Sequence, residues 1–180
     1  MRPTVAIRPA TPLDRDAILA VVREAFSRGG RDGQEEVDIV VSTWRLDAML
    51  HGLELVAVEG DVVVGHALGA RGDLGGRAVV AVAPLAVAPS HQGRGVGSQL
   101  MTELIRRADA GGYALVALLG NPAYYGRFGF EPSRPLNIFY PPVGAGDPHF
   151  QVRRLSAFDP MFSGEFTYCW EGAGGGSFEG

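Results

Sequence analysis

An apolar run at Ala78–Val87, a glycine-rich turn, an amphipathic stretch at Val96–Ala110 and a second apolar run at Leu115–Leu119 follow one another directly. This succession restricts the fold more than any other part of the chain. Two strands joined through a helix in one sheet pair in parallel, with a right-handed crossover. The sheet therefore cannot be wholly antiparallel. Val96, Leu100, Leu104, Ile105 and Ala108 fall on one stripe of the intervening helix, and Gly111-Gly112 ends it. Upstream, Leu53–Val58 and Val62–Ala70 flank Glu59-Gly60-Asp61, a hairpin signal that makes three neighbouring antiparallel strands with Ala78–Val87. Val5–Arg8 reads as a first strand. Thr11 as N-cap, Pro12 at the first helical position and Asp14 in the first turn open a helix whose inner face carries Ile18, Val21, Val22 and Phe26. Ser27–Gly33 reads as a loop and Gln34–Trp44 as a weaker helix. Beyond Leu119, Pro122–Phe128 suits a short helix, and Asn137–Tyr140 and Phe150–Leu155 suit two more strands.

The expected fold class is thus α/β (an α+β mixed sheet), mostly antiparallel with one parallel pair and flanked by helices. A length of 180 residues fits a single domain, taken as 1–170, followed by a flexible glycine-rich tail over 171–180. A hydrophobic fraction of 46% and a charged fraction of 20% are those of a globular chain. The net charge of −4 argues against nucleic-acid binding, which needs a cationic surface to displace counterions. All sixteen basic residues are Arg, read as a coding bias. One cysteine, Cys169, excludes an intrachain disulfide and fits a reducing compartment. No signal-peptide core or membrane-length apolar run is present, so the expected location is the cytoplasm, without membrane association.

Gln92-Gly93-Arg94-Gly95-Val96-Gly97-Ser98 lies between a strand and a helix. Glycines allow backbone to approach a ligand closely, and a helix start offers free N–H groups and a positive dipole end. Arg94 can add a charge-assisted bond. A phosphate or pyrophosphate suits this loop; a plain glycine-rich corner is the alternative. A dinucleotide fingerprint requires Gly where Ser98 stands, and should open the fold rather than follow three strands. A P-loop requires Lys, which the chain lacks. Gly120-Asn121-Pro122-Ala123-Tyr124-Tyr125-Gly126-Arg127-Phe128-Gly129-Phe130 follows the second parallel strand, at the same carboxyl edge. Asn121 can bond an amide, and a tyrosine hydroxyl can donate a proton. Phe128 and Phe130 read as packing aromatics.

Leu85-Ala86-Val87 with Gln92-Gly93-Arg94-Gly95-Val96-Gly97 resembles the acetyl-CoA signature of the Gcn5-related N-acetyltransferases (GNAT), a Q/R-x-x-G-x-G/A loop after a strand. Tyr125-Gly126-Arg127-Phe128-Gly129-Phe130 resembles that superfamily's second motif. Asn121 to Phe130 as a whole is similar to a bacterial subgroup of small predicted N-acetyltransferases. The resemblance spans about Val5 to Leu155. It implies two parallel strands that splay apart, with pantetheine lying in the gap. It further implies backbone bonds from Leu85, Ala86 and Val87, a pyrophosphate held by Gln92, Gly93, Arg94, Gly95, Val96, Gly97 and Ser98, and cofactor contacts from Asn121, Tyr124, Tyr125 and Arg127. Pro84 lacks a ladder donor, which suits a strand leaving its neighbour.

The implied reaction is transfer of the acetyl group of acetyl-CoA to a primary amine, with Tyr125 as general acid and Tyr124 as the second candidate. The Val87 N–H would stabilise the oxyanion. The acceptor is a small-molecule amine or a peptide or protein amine, with the loop 27–36 and the segment 140–149 bordering its site. Many relatives carry a carboxylate on the strand before the glycine loop, and Val79–Ala88 has none. Asp32, Glu35, Glu36, Glu54 and Glu59 are the remaining candidates, each expected to be a solvated surface group, although the first three, in the loop bordering the acceptor site, would favour a cationic amine. That gap leaves a second reading, a non-catalytic acyl-CoA sensor on the same fold. A nucleotide-dependent oxidoreductase is a third. His66 reads as a bonded structural residue and His91 as pointing to solvent. No Cys/His or carboxylate cluster suggests a metal, and a homodimer is left open.

Overall fold

A computed structural model describes residues 4–144 and 146–171. Its elements in chain order are β1 (Val5–Pro9), α1 (Arg15–Phe26), α2 (Gln34–Arg45), β2 (Met49–Glu59), β3 (Val62–Leu74), β4 (Arg77–Val87), α3 (Val96–Ala110), β5 (Leu115–Leu119), α4 (Pro122–Tyr125), β6 (Glu131–Pro132), β7 (Ile138–Phe139), β8 (Phe150–Arg154) and β9 (Gly164–Tyr168). The sheet order is β1-β2-β3-β4-β5-β8-β6. All these neighbours are antiparallel except β4 and β5, which run parallel across the α3 crossover. The mixed α/β sheet expected from the pattern is present, and α3 and β5 have the expected bounds. The tail expected over 171–180 falls, after residue 171, outside the described residues.

Apolar side chains of alternate parity send the two faces of the sheet to different helices. Leu100, Met101, Leu104 and Ala108 of α3 pack on Leu53, Leu55, Val80 and Val116. Ile18 and Val22 of α1 and Val40 of α2 pack on Val56, Leu68 and Ala86. Each of these side chains is essentially free of water, and burial at roughly 25 cal/mol per Å² makes the two layers the main source of stability.

Three details differ from the sequence reading. The helix expected over Pro122–Phe128 is a four-residue α4 followed by a 3₁₀ turn at Gly126–Phe128. The strand expected at Asn137–Tyr140 shrinks to Ile138–Phe139, because Asn137 takes a left-handed conformation just before it. A further strand, β9, pairs with β3 through Gly72↔Tyr168, Asp73↔Thr167 and Leu74↔Phe166. It occupies the edge of β3 that β2 leaves past Met49↔Ala70. Phe166 and Tyr168 turn inward and join Tyr140 and Phe150 in a third, aromatic cluster.

The start of α1 is fixed by ionic bonds. Asp14 accepts Thr11 N–H at 2.7 Å and Thr11 Oγ1 at 2.9 Å, and takes both Arg8 guanidinium nitrogens at 2.8 Å. The Arg8 guanidinium holds the Asp14 carboxyl well below the usual carboxylate range. A group with a depressed native pKa stabilises the fold above its unfolded pKa, and that contribution fades as pH falls. Asp14→Asn is expected to cost about 1–2 kcal/mol at pH 7, since Arg8 is partly exposed. Urea unfolding at pH 7 and pH 3 checks this: the difference from the parent should shrink at the lower pH.

Candidate active site

The site begins with a slip in the sheet. Strand β4 pairs with β3 as Val82↔Gly69 and then as Leu85↔Ala67, so Ala83 and Pro84 together oppose Leu68. This is a β-bulge, one extra residue on β4. Pro84 stands where the ladder would ask for an N–H, and proline has none to give. The bulge reverses the parity of the strand. Leu85 and Val87 thereby lie on the same face as Val80 and Val82, against the α3 core. Past the bulge, Ala88 N–H bonds Val64 C=O at 2.9 Å, which makes Ala88 and Ala86 the residues bonded to β3. The N–H and C=O groups of Leu85 and Val87 point the opposite way, toward β5.

Strand β5 is not there to receive them. Its register with β4 consists of Val80↔Val116 and Ala81↔Ala117. Beyond these pairs the strands diverge around a cavity of about 450 Å³. One wall is Val82, Ala83, Pro84 and Leu85; the facing wall is Leu119, Gly120, Asn121, Tyr124 and Tyr125. The far end is closed by Phe26, Glu36 and Ile39 from the first two helices and by Tyr140, Tyr168 and Trp170 from the last part of the chain.

Gly93 and Gly95 carry the glycine loop over the start of α3 with φ of 71° and 82°, a left-handed backbone that favours glycine. A side chain at either would meet nothing within 4 Å, so the loop is open above. Gln99 N–H makes the bond to Gly95 C=O, leaving the amides of Val96, Gly97 and Ser98 free at the positive end of a 15-residue helix. An anion fits there. Arg94 is partly exposed and holds Glu59 at 3.1 Å. Gln92 has a bracing role: its Nε2 donates to Val87 C=O at 2.9 Å, and its Oε1 accepts from Arg28 at 2.6 Å. The Val96 side chain is buried in the core, so this residue offers only its amide. The Ser98 side chain borders a separate groove with Ile7, Gln99 and Thr102. Ala86 turns its methyl into the α1 side of the sheet and its backbone toward His66, contributing no group to the gap between Leu85 and Val87.

The two tyrosines diverge from adjacent positions. The Tyr124 hydroxyl lies over Gly97, where an added Cβ would be 2.8 Å from it, and its ring carries the Arg127 guanidinium at 4.6 Å. The Tyr125 ring lies flat on Gly120, so close that any side chain there would overlap it. It packs edge-on to Tyr124 and Phe130, with centroids 4.9 and 5.8 Å away. Burial, and then the neighbouring Tyr124, push the Tyr125 phenol up to about 12. Asn121 Oδ1 accepts Ala123 N–H at 2.9 Å and so caps α4, with Pro122 at its first position. The capping oxygen is engaged; its amide NH₂ remains available on the cavity wall.

The carboxylates sort themselves. Asp32 caps Gln34 N–H, and Glu35 is exposed. Glu59 is bonded to Arg94 and His91, which hold its carboxyl below the usual range, His91 contributing most. His91 is therefore not directed to solvent as expected; its ring is mostly covered and bonds Glu59 at 3.0 Å. Glu54 is no surface group either. Its Oε1 accepts Trp44 Nε1 at 2.9 Å and lies 3.0 Å from Nε2 of fully buried His66. Only Glu36 among these lines the cavity. Arg28, the choice of Glu36 and the wall from β9 went unread in the sequence. For β9 the signal was the alternation of Phe166 and Tyr168 with Glu165 and Thr167. Among the described residues no group of His, Cys, Asp and Glu is placed to hold a metal ion, and no helix is long and apolar enough to cross a membrane.

A sheet parted beside a glycine-rich helix start makes an α/β protein with an open strand edge and an anion-binding helix end, and the comparisons place it within one family. The acetyltransferase (GNAT) family model matches residues 18–130. The N-acetyltransferase YhbS of Escherichia coli K12, itself uncharacterised, is 34% identical over 155 residues, covering 83% of this chain and 87% of the relative. A crystal structure of E. coli YhbS in complex with CoA is similar at a TM-score of 0.81 and 29% identity, over 93% of this chain and 91% of that one. A GNAT acetyltransferase from Brucella melitensis in complex with acetyl-CoA is similar at a TM-score of 0.75 and 27% identity, over 93% and 97% of the two chains. The chain belongs to the GNAT family and is an acyltransferase.

The buried phenol is accessible to a direct measurement. In a difference titration of the parent against Tyr125→Phe at 295 nm, the signal should stay flat through pH 10, where an ordinary phenol is half ionised. A midpoint near 10 would show that Tyr125 is solvated.

Proposed function

We propose that the chain transfers the acetyl group of acetyl-CoA to a primary amine by direct attack. The observation that carries this is the edge of β4 that β5 leaves past Ala81, with Leu85 on a cavity wall, the Val87 N–H beyond it, a helix start following and Tyr125 on the facing wall. Pantetheine lies along that edge as a substitute strand, bonded by the backbone of Leu85 and Val87. The amides of Val96, Gly97 and Ser98, the backbone of Gly93 and Gly95, and Arg94 hold the pyrophosphate. Gln92 fixes the Val87 carbonyl, Asn121 contributes its amide, and Tyr124 and Arg127 cover the loop. The cosubstrates of YhbS and of the Brucella protein in their crystals support the donor.

The ammonium form of the acceptor gives one proton to water, and the neutral amine attacks the thioester carbon; the nitrogen releases its second proton to water from the tetrahedral intermediate. The Val87 N–H stabilises the oxyanion. The C–S bond then breaks, leaving the amide and a thiolate that takes the Tyr125 proton, and the Tyr125 phenolate regains a proton from water. A free thiol has a pKa near 8.5, against about 12 for Tyr125. Transfer between those values is uphill by about 5 kcal/mol at 1.36 kcal/mol per unit. The same burial raises the thiol as well, because a desolvated thiolate is also disfavoured. The two acids move together, and the proton is handed over late, as the bond breaks.

Calorimetric titration with acetyl-CoA tests the donor: saturable binding is expected, lost in Arg94→Glu/Gly97→Glu. Tyr125→Phe should bind acetyl-CoA as the parent does while kcat falls about 10²-fold or more. Equal kcat at every pH would remove Tyr125 from the mechanism.

A further inference from the structure

We infer that the acceptor is a small monoamine with an apolar, aromatic-sized body, and that Glu36 holds its ammonium group. This rests on the transferase reading above and names the substrate class of the same cavity. The argument begins with what the far end of the cavity contains. Its walls are carbon-rich: Phe26, Ile39, Tyr140, Val143, Tyr168 and Trp170. These rings are held by one another, Tyr168 stacking on Trp170 at 4.5 Å and meeting Tyr140 edge-on at 5.3 Å. The Tyr140 hydroxyl is spoken for by Glu171, so it is not free to bind a guest. Against this surface stands a single formally charged lining residue, Glu36.

The state of its carboxylate is unusual. Oε1 is bonded to Arg31 at 2.6 Å. Oε2 is buried and has no partner among the described residues. A buried carboxylate oxygen without a donor is unfavourable, and a hydrogen-bonding cation relieves it. The last torsion of a glutamate is soft and roughly two-fold. A turn of that torsion moves both oxygens, so bringing Oε2 to the cavity requires Arg31, which is more than half exposed, to follow Oε1. Asp32 and Glu35 do not line the cavity, so among the described residues its wall carries one carboxylate. One charge selects one cation. A polyamine would leave its second ammonium against apolar rings, at a desolvation cost that nothing there offsets. The aromatic walls select an apolar body next to the amine.

The test uses the full chain with and without CoA. Calorimetry compares 2-phenylethylamine with its neutral counterpart 2-phenylethanol and with spermidine, in the parent and in Glu36→Gln. The parent should bind the amine about tenfold more tightly than the alcohol, and should bind spermidine more weakly than either. Glu36→Gln should bring amine and alcohol to within about twofold, with acetyl-CoA affinity and melting temperature unchanged. Equal binding of amine and alcohol to the parent would overturn the inference, whatever the variant does. So would tighter binding of spermidine, or an amine preference that survives in Glu36→Gln. Failure of the transferase reading looks different: 2-phenylethylamine would bind, yet acetyl-CoA would not, or no amine would be acetylated.

Discussion

A missing hydrogen bond organises this molecule. Proline at position 84 cannot donate to the ladder, and the strand answers by carrying one residue too many. That slip does two things at once. It changes which side chains face α3, so Leu85 and Val87 seal the core. It also releases the other edge of β4 just where β5 turns away. A continuous parallel pair would have consumed the backbone groups of Leu85 and Val87 internally. Here Gln92 takes the Val87 carbonyl, and the Leu85 groups and the Val87 N–H are left on a strand edge without a partner strand.

The rest of the site is built by fitting rings to glycines. Tyr124 rests over Gly97 at the start of α3, and Tyr125 rests on Gly120 at the end of β5. Neither glycine has a positive φ; at Gly120 the Tyr125 ring occupies the place of a side chain, and at Gly97 the Tyr124 hydroxyl crowds it. The glycines of the loop serve a different purpose, since Gly93 and Gly95 have empty space above them and a left-handed backbone. A single stretch of sequence thus uses glycine both to bend and to make room. The hydrogen bonds at Glu59 and Gln92 then tie the loop to the β2–β3 hairpin and to Arg28 just past α1.

The local grammar of the chain was readable where one period dominated. The stripe from Val96 to Ala108 and the apolar run Leu115–Leu119 fixed α3 and β5 without tertiary help. The glycine loop and the aromatic motif could be placed at one edge by topology alone. What could not be read depended on contacts distant in sequence. Asp32, Glu35 and Glu36 are equivalent as letters; which one reaches the cavity follows from the packing of α2. His91 finds Glu59 across 32 residues. Strand β9 carries a clear alternation, but its partner is the far end of β3, and no short-range signal points there. Asn121 was read as a ligand contact, whereas Asn-Pro at a helix start also spells an N-cap, and its oxygen does that work here.

The family match ends at residue 130, while Tyr140, Tyr168 and Trp170 all lie beyond it. On the proposed reading, the machinery for the donor and the aromatic wall facing the acceptor are encoded in different stretches of the chain. They meet at one cavity, where Tyr168 reaches Leu119 at the end of β5, while β9 pairs with β3 and β7 with β9. Such a layout is modular in the evolutionary sense. The wall from the last quarter of the sequence can change without touching the glycine loop, whereas Phe26, Glu36 and Ile39 tie the other side of the same cavity to the stretch the family shares.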